Sequence, residues 1–261
     1  MRLGCLPYLN VKPLVYTFER GGLPDGWELV YAPPGELAVM LVRGDIAAAP
    51  VSSFATFADP ALQTCPGICI AADGLVDSVL MLSTRDVPDI RTVALDTGSL
   101  SGANMLRIIL ADLYNHRPQF IRVPPNPVSA MLEECDAALV IGNAALLHPK
   151  DGLRVFDVAE HWRRLTGLPA VFAVWAGKKM TPELVSLLQA AKEAGMHRLE
   201  EIALQQADVL GLTFDRCFDY LARRMIYDLG ERELRGLEEF KRRAAAHGLI
   251  DRQSAVGVCD R

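Results

Sequence analysis

The sequence lacks any apolar run that approaches the roughly 20 residues a membrane-spanning helix needs. Its N-terminal stretch, which contains Asn10 and Pro13, has no signal-peptide apolar region, and the chain begins at its own Met1. These features predict a cytoplasmic protein that does not enter a membrane. An excess of positive charge is also missing, because the net charge is -5 at pH 7. The charge therefore argues against nucleic acid as a partner.

Common catalytic and metal-binding signatures are absent as well. The sequence has no Gly-x-Gly-x-x-Gly, P-loop, Gly-x-Ser-x-Gly or His-Glu-x-x-His motif. Of the six cysteines only Cys65 and Cys69 lie close together, and no second cysteine pair or histidine pair accompanies them. We therefore expect reduced, buried cysteines and no metal site. The five histidines lie outside the polar clusters described below, which leaves no obvious general base.

The sequence is rich in hydrophobic residues (51%), and they fall into short runs that alternate with helical patterns. Runs typical of buried strands occupy residues 2–6, 28–31, 46–51, 68–71, 78–83, 92–95, 119–123, 137–141 and 170–175. Residues 36–42 and 104–113 repeat apolar side chains at the three- and four-residue spacing of a helix. This alternation predicts an α/β protein with largely parallel sheets covered by helices.

The C-terminal part of the sequence differs from the rest. Thr181 followed by Pro182 has the pattern of a helix N-cap and first helical residue. From there to about His247 the residues are almost all helix-forming, with one break at residues 211–213. Residues 251–261 show no periodicity, which predicts a loose tail. The sequence therefore predicts a helical C-terminal region.

Two charged segments, residues 84–90 and 176–181, indicate where the chain could cross between two lobes. Residues 1–85 and 176–261 would form a discontinuous first lobe, and residues 86–175 the second. A hinge of two crossing segments favours a small ligand in the cleft between the lobes.

Four short polar clusters each follow a predicted strand and precede a predicted helix, at residues 7–10, 51–54, 96–102 and 141–143. Asn10 has the residue type of an N-cap. Helix N-termini present unpaired N–H groups and partial positive charge, so several of them in one cleft would bind a carboxylate or phosphate without arginine. Open α/β sheets bind ligands at the carboxyl ends of their strands, where all four clusters lie.

The segments that contain these clusters resemble the chorismate dehydratases of the futalosine route to menaquinone. The matching stretches, in family order, are residues 2–14, 50–53, 72–78, 95–101, 136–142 and 157–175. The most distinctive is Asp157-Val-Ala-Glu-His-Trp-Arg-Arg-Leu-Thr-Gly-Leu-Pro-Ala-Val-Phe-Ala-Val-Trp175. The resemblance implies a fold like that of type II periplasmic binding proteins, which agrees with the two-lobe prediction.

The chain departs from the family pattern at three places. Phe54-Ala55-Thr56 stands where the family has Ile-Glu-Tyr after its paired serines, and Asn143 stands where it has aspartate after Ile-Gly. The family's Ser-x-Thr-Ser is Ser99-Leu100-Ser101-Gly102 here. The missing glutamate and aspartate indicate one of two things. Either the ligand differs from that of the family, or only the residues behind those that touch the ligand differ.

The resemblance implies a hydro-lyase that removes water from chorismate, a small anionic substrate, without a cofactor or metal. It implies that Asn10 and Ser78 are catalytic and lie nearest the reacting carbons. The implied substrate-binding residues are Ser52, Ser53, Ser99, Ser101, Gly102, Gly142 and Asn143. Because no histidine lies in the clusters, the substrate's own enolpyruvyl carboxylate is expected to remove the proton.

Two other functions stay open at this point. A non-catalytic binding protein for small anionic solutes is favoured by the implied fold and by the missing glutamate and aspartate. The related dihydroxynaphthoate synthase shares the implied fold, but its resemblance would call for a histidine near Gly142-Asn143, and none is there. The sequence also leaves open whether the chain forms a homodimer.

Overall fold

The computed structural model describes residues 1–96, 98–123 and 126–250. Thr97 of the third polar cluster and the tail after residue 250 lie outside the described residues. The strands are β1 (Arg2–Cys5), β2 (Glu28–Tyr31), β3 (Ala49–Ser52), β4 (Gln63–Ala72), β5 (Val79–Ser83), β6 (Thr92–Asp96), β7 (Gln119–Val123), β8 (Ala137–Ile141), β9 (Arg154–Asp157) and β10 (Ala170–Gly177).

The helices follow the strands through most of the chain and then dominate its end. They are α1 (Lys12–Val15), α2 (Pro34–Arg43), α3 (Ser53–Ala58), α4 (Leu100–Tyr114), α5 (Val128–Glu134), α6 (Gly142–Leu147), α7 (Val158–Thr166), α8 (Pro182–Met196), α9 (Leu199–Leu210), α10 (Phe214–Asp219) and α11 (Glu231–Ala246). A 3-10 turn at Leu9–Val11 precedes α1, and a π-helical turn at Tyr220–Arg224 follows α10. None of the helices in the described part of the chain has both the length and the apolar character needed to cross a membrane.

The strands form three sheets. β1 pairs with β2 in parallel. The second sheet has the order β3-β10-β4, and β10 is antiparallel to both neighbours. The third sheet has the order β7-β6-β8-β5-β9, in which β6 runs parallel to β7 and β8 while β5 runs antiparallel to β8 and β9.

Every predicted strand has a counterpart in the structure, and both predicted helical patterns lie within α2 and α4. β9 is absent from the predictions because it is short and its first two residues are exposed. The prediction of largely parallel sheets is wrong for the second sheet and for both pairings of β5. Parallel neighbours need a long crossover connection. β5 and β10 instead enter their sheets from the other half of the molecule.

The sheet pairing differs from the lobe boundaries expected near residues 86 and 175. β5 precedes residue 86 but pairs with β8 and β9 in the third sheet. Most of β10 precedes residue 176 but pairs with β3 and β4 in the second sheet. Because hydrogen-bonded strands move together, we propose that the chain changes lobes at residues 73–78 and 167–169. The first lobe is still discontinuous in this proposal.

These two crossing segments are held by side chains. The buried Asp157 carboxylate accepts hydrogen bonds from the backbone N–H groups of Val76 (2.9 Å) and Asp77 (2.8 Å) in the first segment. Arg232 binds the Asp73 carboxylate at 2.7 Å and donates to the Gly167 carbonyl at 3.4 Å. One arginine of α11 therefore contacts both crossings.

The helical C-terminal region is confirmed. Thr181 caps α8 by accepting a hydrogen bond from Leu184 N, and the break at residues 211–213 separates α9 from α10. Phe240 of α11 is fully buried among aromatic rings of α3 and α7, with ring centroids 5.3–5.8 Å from those of Phe57, Trp162 and Phe54. The C-terminal helices are therefore part of the core.

Candidate active site

A cavity of about 400 Å³ lies where the polar clusters meet, between the second and third sheets. Its polar wall contains Tyr8, Asn10, Ser52, Ser78, Ser99, Ser101 and Asp59. Its more extensive apolar wall includes Pro34, Ala38, Leu41, Val42, Ala55, Ala58, Leu62 and Phe172. The prediction that each cluster joins a strand to a helical turn is confirmed by the element order. A small, partly apolar anion fits this kind of wall.

The N-terminus of α4 opens onto the cavity. The first hydrogen bond at this end runs from Ala103 N to Ser99 O, so the N–H groups of Leu100, Ser101 and Gly102 precede it. Ser99 stands at the N-cap position, but its side chain does not cap the helix. Its buried Oγ has no hydrogen-bond partner among the described residues. This end of α4 thus offers several donors and a partial positive charge to an anion.

A trio of serines joins α4 to the end of β3 and the start of α3. Ser101 Oγ lies 2.6 Å from Ser52 Oγ and 3.0 Å from Ser53 Oγ, and it accepts a hydrogen bond from Phe54 N. Ser53 is fully buried and donates to the Val171 carbonyl at 2.6 Å. Ser53 therefore supports Ser101 from behind, while Ser52 and Ser101 reach the cavity.

Asn10 lies in the cavity wall, but the predicted N-cap role is wrong. Tyr8 stands at the N-cap of the 3-10 turn, and Asn10 is the middle residue of that turn. A capping residue has non-helical backbone angles, which bring its side chain to the N–H groups that follow. A residue inside the turn has helical angles, so the Asn10 side chain is not placed to cap. Asn10 Oδ1 is buried and has no hydrogen-bond partner within the described chain. An uncompensated buried amide oxygen costs free energy, as expected of a group that serves a ligand.

Ser78 is fixed through both its backbone and its side chain. Its carbonyl accepts a hydrogen bond from Gly142 N at 2.8 Å. Its Oγ accepts one from the Tyr220 hydroxyl at 2.9 Å. Burial raises the pKa of Tyr220 well above its usual range, and the Tyr220 hydroxyl also interacts with Asn10. Asn10, Ser78 and Tyr220 therefore form one buried polar group beside the cavity.

Gly142 and Asn143 hold the loop that carries Tyr8. A Cβ added at Gly142 would lie 2.9 Å from the Tyr8 ring, and Gly142 has φ +61°, so only glycine fits comfortably. Asn143 Oδ1 accepts from Leu9 N at 2.9 Å, and its Nδ2 donates to Pro7 O at 3.2 Å. Because this loop leads directly to the 3-10 turn, Asn143 braces the cavity wall from outside.

The structure thus brings most of the sequence-predicted residues to one cavity. Those in its wall are Asn10, Ser52, Ser78, Ser99, Ser101 and Gly142. Ser53, Gly102 and Asn143 lie behind the wall, and the Gly142 N–H is already used by Ser78. The sequence reasoning missed Tyr8, Asp59, Phe172 and Tyr220. Tyr8 belongs to the first polar cluster and could have been found there, whereas the other three carry no local signal.

The wall of the cavity contains few charged side chains. Asp59 is the only charged residue among the side chains that the structure describes there. Its carboxylate accepts a hydrogen bond from Ala61 N at 2.9 Å. No group of three His, Cys, Asp or Glu residues suited to a metal ion occurs within the described ranges. An anion in this cavity would therefore be bound by N–H groups, hydroxyls and an amide.

Solved structures with a similar fold include binding proteins and a crystal structure of a protein from Archaeoglobus fulgidus. The latter is 17% identical, with a TM-score of 0.78, and the match covers 95% of this chain and 98% of that one. The alkanesulfonate-binding protein from Xanthomonas axonopodis pv. citri, bound to MOPS, is 17% identical with a TM-score of 0.72, over 97% and 94% of the two chains. These likenesses confirm the two-lobed, periplasmic-binding-protein-like α/β fold.

Sequence comparison identifies a relative of named activity and a matching family. A curated protein from Thermus thermophilus named chorismate dehydratase is 29% identical over 231 residues, which is 80% of this chain and 83% of that protein. A family described as menaquinone biosynthesis matches residues 1–246, which is nearly the whole chain. On this match, the chain belongs to the menaquinone biosynthesis family.

Proposed function

We propose that this protein is a hydro-lyase that converts chorismate to 3-[(1-carboxyvinyl)oxy]benzoate and water. The observation that carries the proposal is that two buried polar atoms without partners in the described chain, Ser99 Oγ and Asn10 Oδ1, belong to residues of one cavity wall. Family membership and the chorismate dehydratase from Thermus thermophilus support the choice of reaction.

The two carboxylates of chorismate would bind to different parts of the wall. The N–H groups at the start of α4 and the Ser99 hydroxyl would hold the ring carboxylate. The Ser52 hydroxyl would turn its hydrogen from Ser101 Oγ to the enolpyruvyl carboxylate when the substrate binds. Phe172 and the apolar wall would contact the ring. The ring would then lie beside Asn10 and Ser78.

The reaction needs one proton and one hydroxide to leave neighbouring ring carbons. The proton leaves the carbon that carries the ether, and the electron pair is conjugated through the ring to the ring carboxylate. Donors on that carboxylate therefore stabilise the transition state. Asn10 Oδ1 would accept a hydrogen bond from the hydroxyl that leaves and so orient it. The new double bond completes an aromatic ring, which supplies the driving force.

The base in this proposal is the enolpyruvyl carboxylate of the substrate. Ser78 is a poor base because no histidine or lysine contacts its hydroxyl within the described residues and Tyr220 donates to it. Asp59 is the one carboxylate described in the wall. It follows α3 and lies in the apolar part of the wall, between Ala58 and Leu62 in the sequence, and it is not part of the polar group of Asn10 and Ser78. Asp59 is therefore assigned no role in proton transfer.

The test is incubation of the purified protein with chorismate, followed by ultraviolet absorbance and product mass. The proposal requires an aromatic product that is one water lighter than chorismate, formed in proportion to protein concentration. A variant with both Asn10→Ala and Ser78→Ala is the control for contaminating activity. Saturable binding of chorismate without product would instead identify a binding protein. Cytoplasmic location and a homodimer stay predictions.

A further inference from the structure

Tyr220 connects the C-terminal helices to the polar wall of the cavity. It begins the π-helical turn Tyr220–Arg224, and its side chain is almost fully buried. Its hydroxyl lies 2.9 Å from Ser78 Oγ and also interacts with Asn10. These two residues are the ones assigned to the reacting carbons. π-helical turns within α-helical regions often occur at functional sites.

The direction of the hydrogen bond decides what Ser78 can do. A hydroxyl has one hydrogen to donate and two lone pairs that accept. The Tyr220 hydroxyl donates to Ser78 Oγ and occupies one lone pair of that oxygen. The hydrogen of the Ser78 hydroxyl is therefore left for another partner. Ser78 forms part of the cavity wall. The hydrogen can therefore point toward a ligand.

Both partners are held in place from their own segments. The backbone after the π-helical turn is fixed by Ile226, which exchanges two hydrogen bonds with Ala71 (2.8 and 2.9 Å). Ala71 lies just before the crossing segment that carries Ser78. These two hydrogen bonds tie the segment after Tyr220 to the strand that leads to Ser78. Burial raises the pKa of Tyr220 well above its usual range, so the phenol keeps its proton.

We propose that Tyr220 is a positioning residue that holds Ser78 as a hydrogen-bond donor toward the substrate. The inference rests on the proposed dehydration and extends it to a residue from the C-terminal region. A hydrogen bond received by Ser78 also strengthens the one it donates. Ser78 would then stabilise charge that develops on the substrate rather than remove a proton.

The experiment is a double-mutant cycle with wild type, Tyr220→Phe, Ser78→Ala and the double variant, in which kcat and KM for chorismate are measured. Tyr220→Phe keeps the ring and removes only the hydroxyl. We expect kcat to fall about tenfold with little change in KM, which is the rate equivalent of one hydrogen bond. In the Ser78→Ala background the same change should have no further effect. An unchanged kcat, or an equal loss in both backgrounds, overturns the inference.

Tyr227→Phe is the matched control. Tyr227 is also a nearly fully buried phenol, and its hydroxyl has no hydrogen-bond partner among the residues described. Its removal should leave kcat unchanged. A tenfold loss in this variant too would point to general packing and would contradict a specific role for Tyr220.

Binding of the product, 3-[(1-carboxyvinyl)oxy]benzoate, to the same variants separates this inference from the proposed function. Wild-type protein that binds product but does not turn over chorismate would refute only the dehydration. A Kd that rises in Tyr220→Phe but not in the Ser78→Ala background would still support the positioning role. Equal rises in both backgrounds would overturn it, and so would the absence of product binding to wild type.

Discussion

At the scale of single residues, small neutral side chains form the polar wall, and their neighbours decide which protons face the cavity. The Ser53 hydroxyl donates its hydrogen to the Val171 carbonyl, and the Tyr220 hydroxyl donates to Ser78. Asn10 and Ser99 keep buried oxygens without partners in the described chain. The residue types could be predicted from the polar clusters. Their roles could not, because the deciding partners come from distant parts of the sequence.

The replacement Asn10→Ala tests the catalytic assignment. We expect turnover to fall about 100-fold or more, since Asn10 Oδ1 no longer accepts the hydrogen bond that orients the leaving hydroxyl of the substrate. The free energy of unfolding should change by less than about 1 kcal/mol, because Asn10 does not cap a helix. Thermal unfolding and kcat of the folded protein measure the two effects. A loss of stability with unchanged kcat would make Asn10 structural.

Asn104→Ala is the control for that variant. Asn104 is also buried, but its Nδ2 donates to the Leu100 carbonyl within α4 at 2.9 Å. Its loss should cost about 1 kcal/mol of stability and leave kcat of the folded protein largely intact.

The replacement Asp59→Asn tests the assignment of the base. If the substrate's own carboxylate takes the proton, kcat should stay within about threefold of the wild-type value, whereas loss of a general base costs about 100-fold or more. An amide analogue of the enolpyruvyl carboxylate should bind and fail to react. An inactive Asp59→Asn protein together with a reactive amide analogue would place the base on the protein.

At the scale of elements, α4 and the loop before α1 are the parts that shape the cavity. The sequence predicts both positions well, because each follows a buried strand and contains small polar residues. It predicts strand direction poorly for β5 and β10, since pairing partners depend on how the chain crosses between sheets. Charged residues at 84–90 indicate a surface turn, and the proposed crossings also carry turn signals, Asp73-Gly74 and Gly167-Leu168-Pro169. Such signals do not show which turns join two lobes.

The brace between α6 and the Tyr8 loop leads to a pH-dependent prediction. Asn143→Asp keeps the acceptor for Leu9 N but places a carboxylate beside the Pro7 carbonyl. We expect KM for chorismate to rise about tenfold at pH 8, since one hydrogen bond is replaced by repulsion. Lower pH should reduce the defect, because the protonated carboxyl can again donate to Pro7. Asn143→Ala should show the higher KM at every pH, and equal pH profiles for the two variants would contradict the brace.

At the scale of the whole molecule, the periplasmic-binding-protein-like fold has a cavity between two sheets, and Tyr220 of the C-terminal region contacts the cavity wall from behind. The α/β class and the helical C-terminal region follow from periodicity alone. Periodicity does not predict that five distant residues meet at one place, because their meeting depends on long-range packing. These residues are Asn10, Ser52, Ser78, Ser99 and Tyr220.

The most direct test is a crystal structure of the wild-type protein grown or soaked with chorismate. We expect a planar aromatic product in the cavity, with one carboxylate at the N-terminus of α4 near Ser99 and the ring between Asn10 and Ser78. An intact chorismate with its puckered, hydroxyl-bearing ring at that place would contradict catalysis. A ligand bound elsewhere would contradict the site itself.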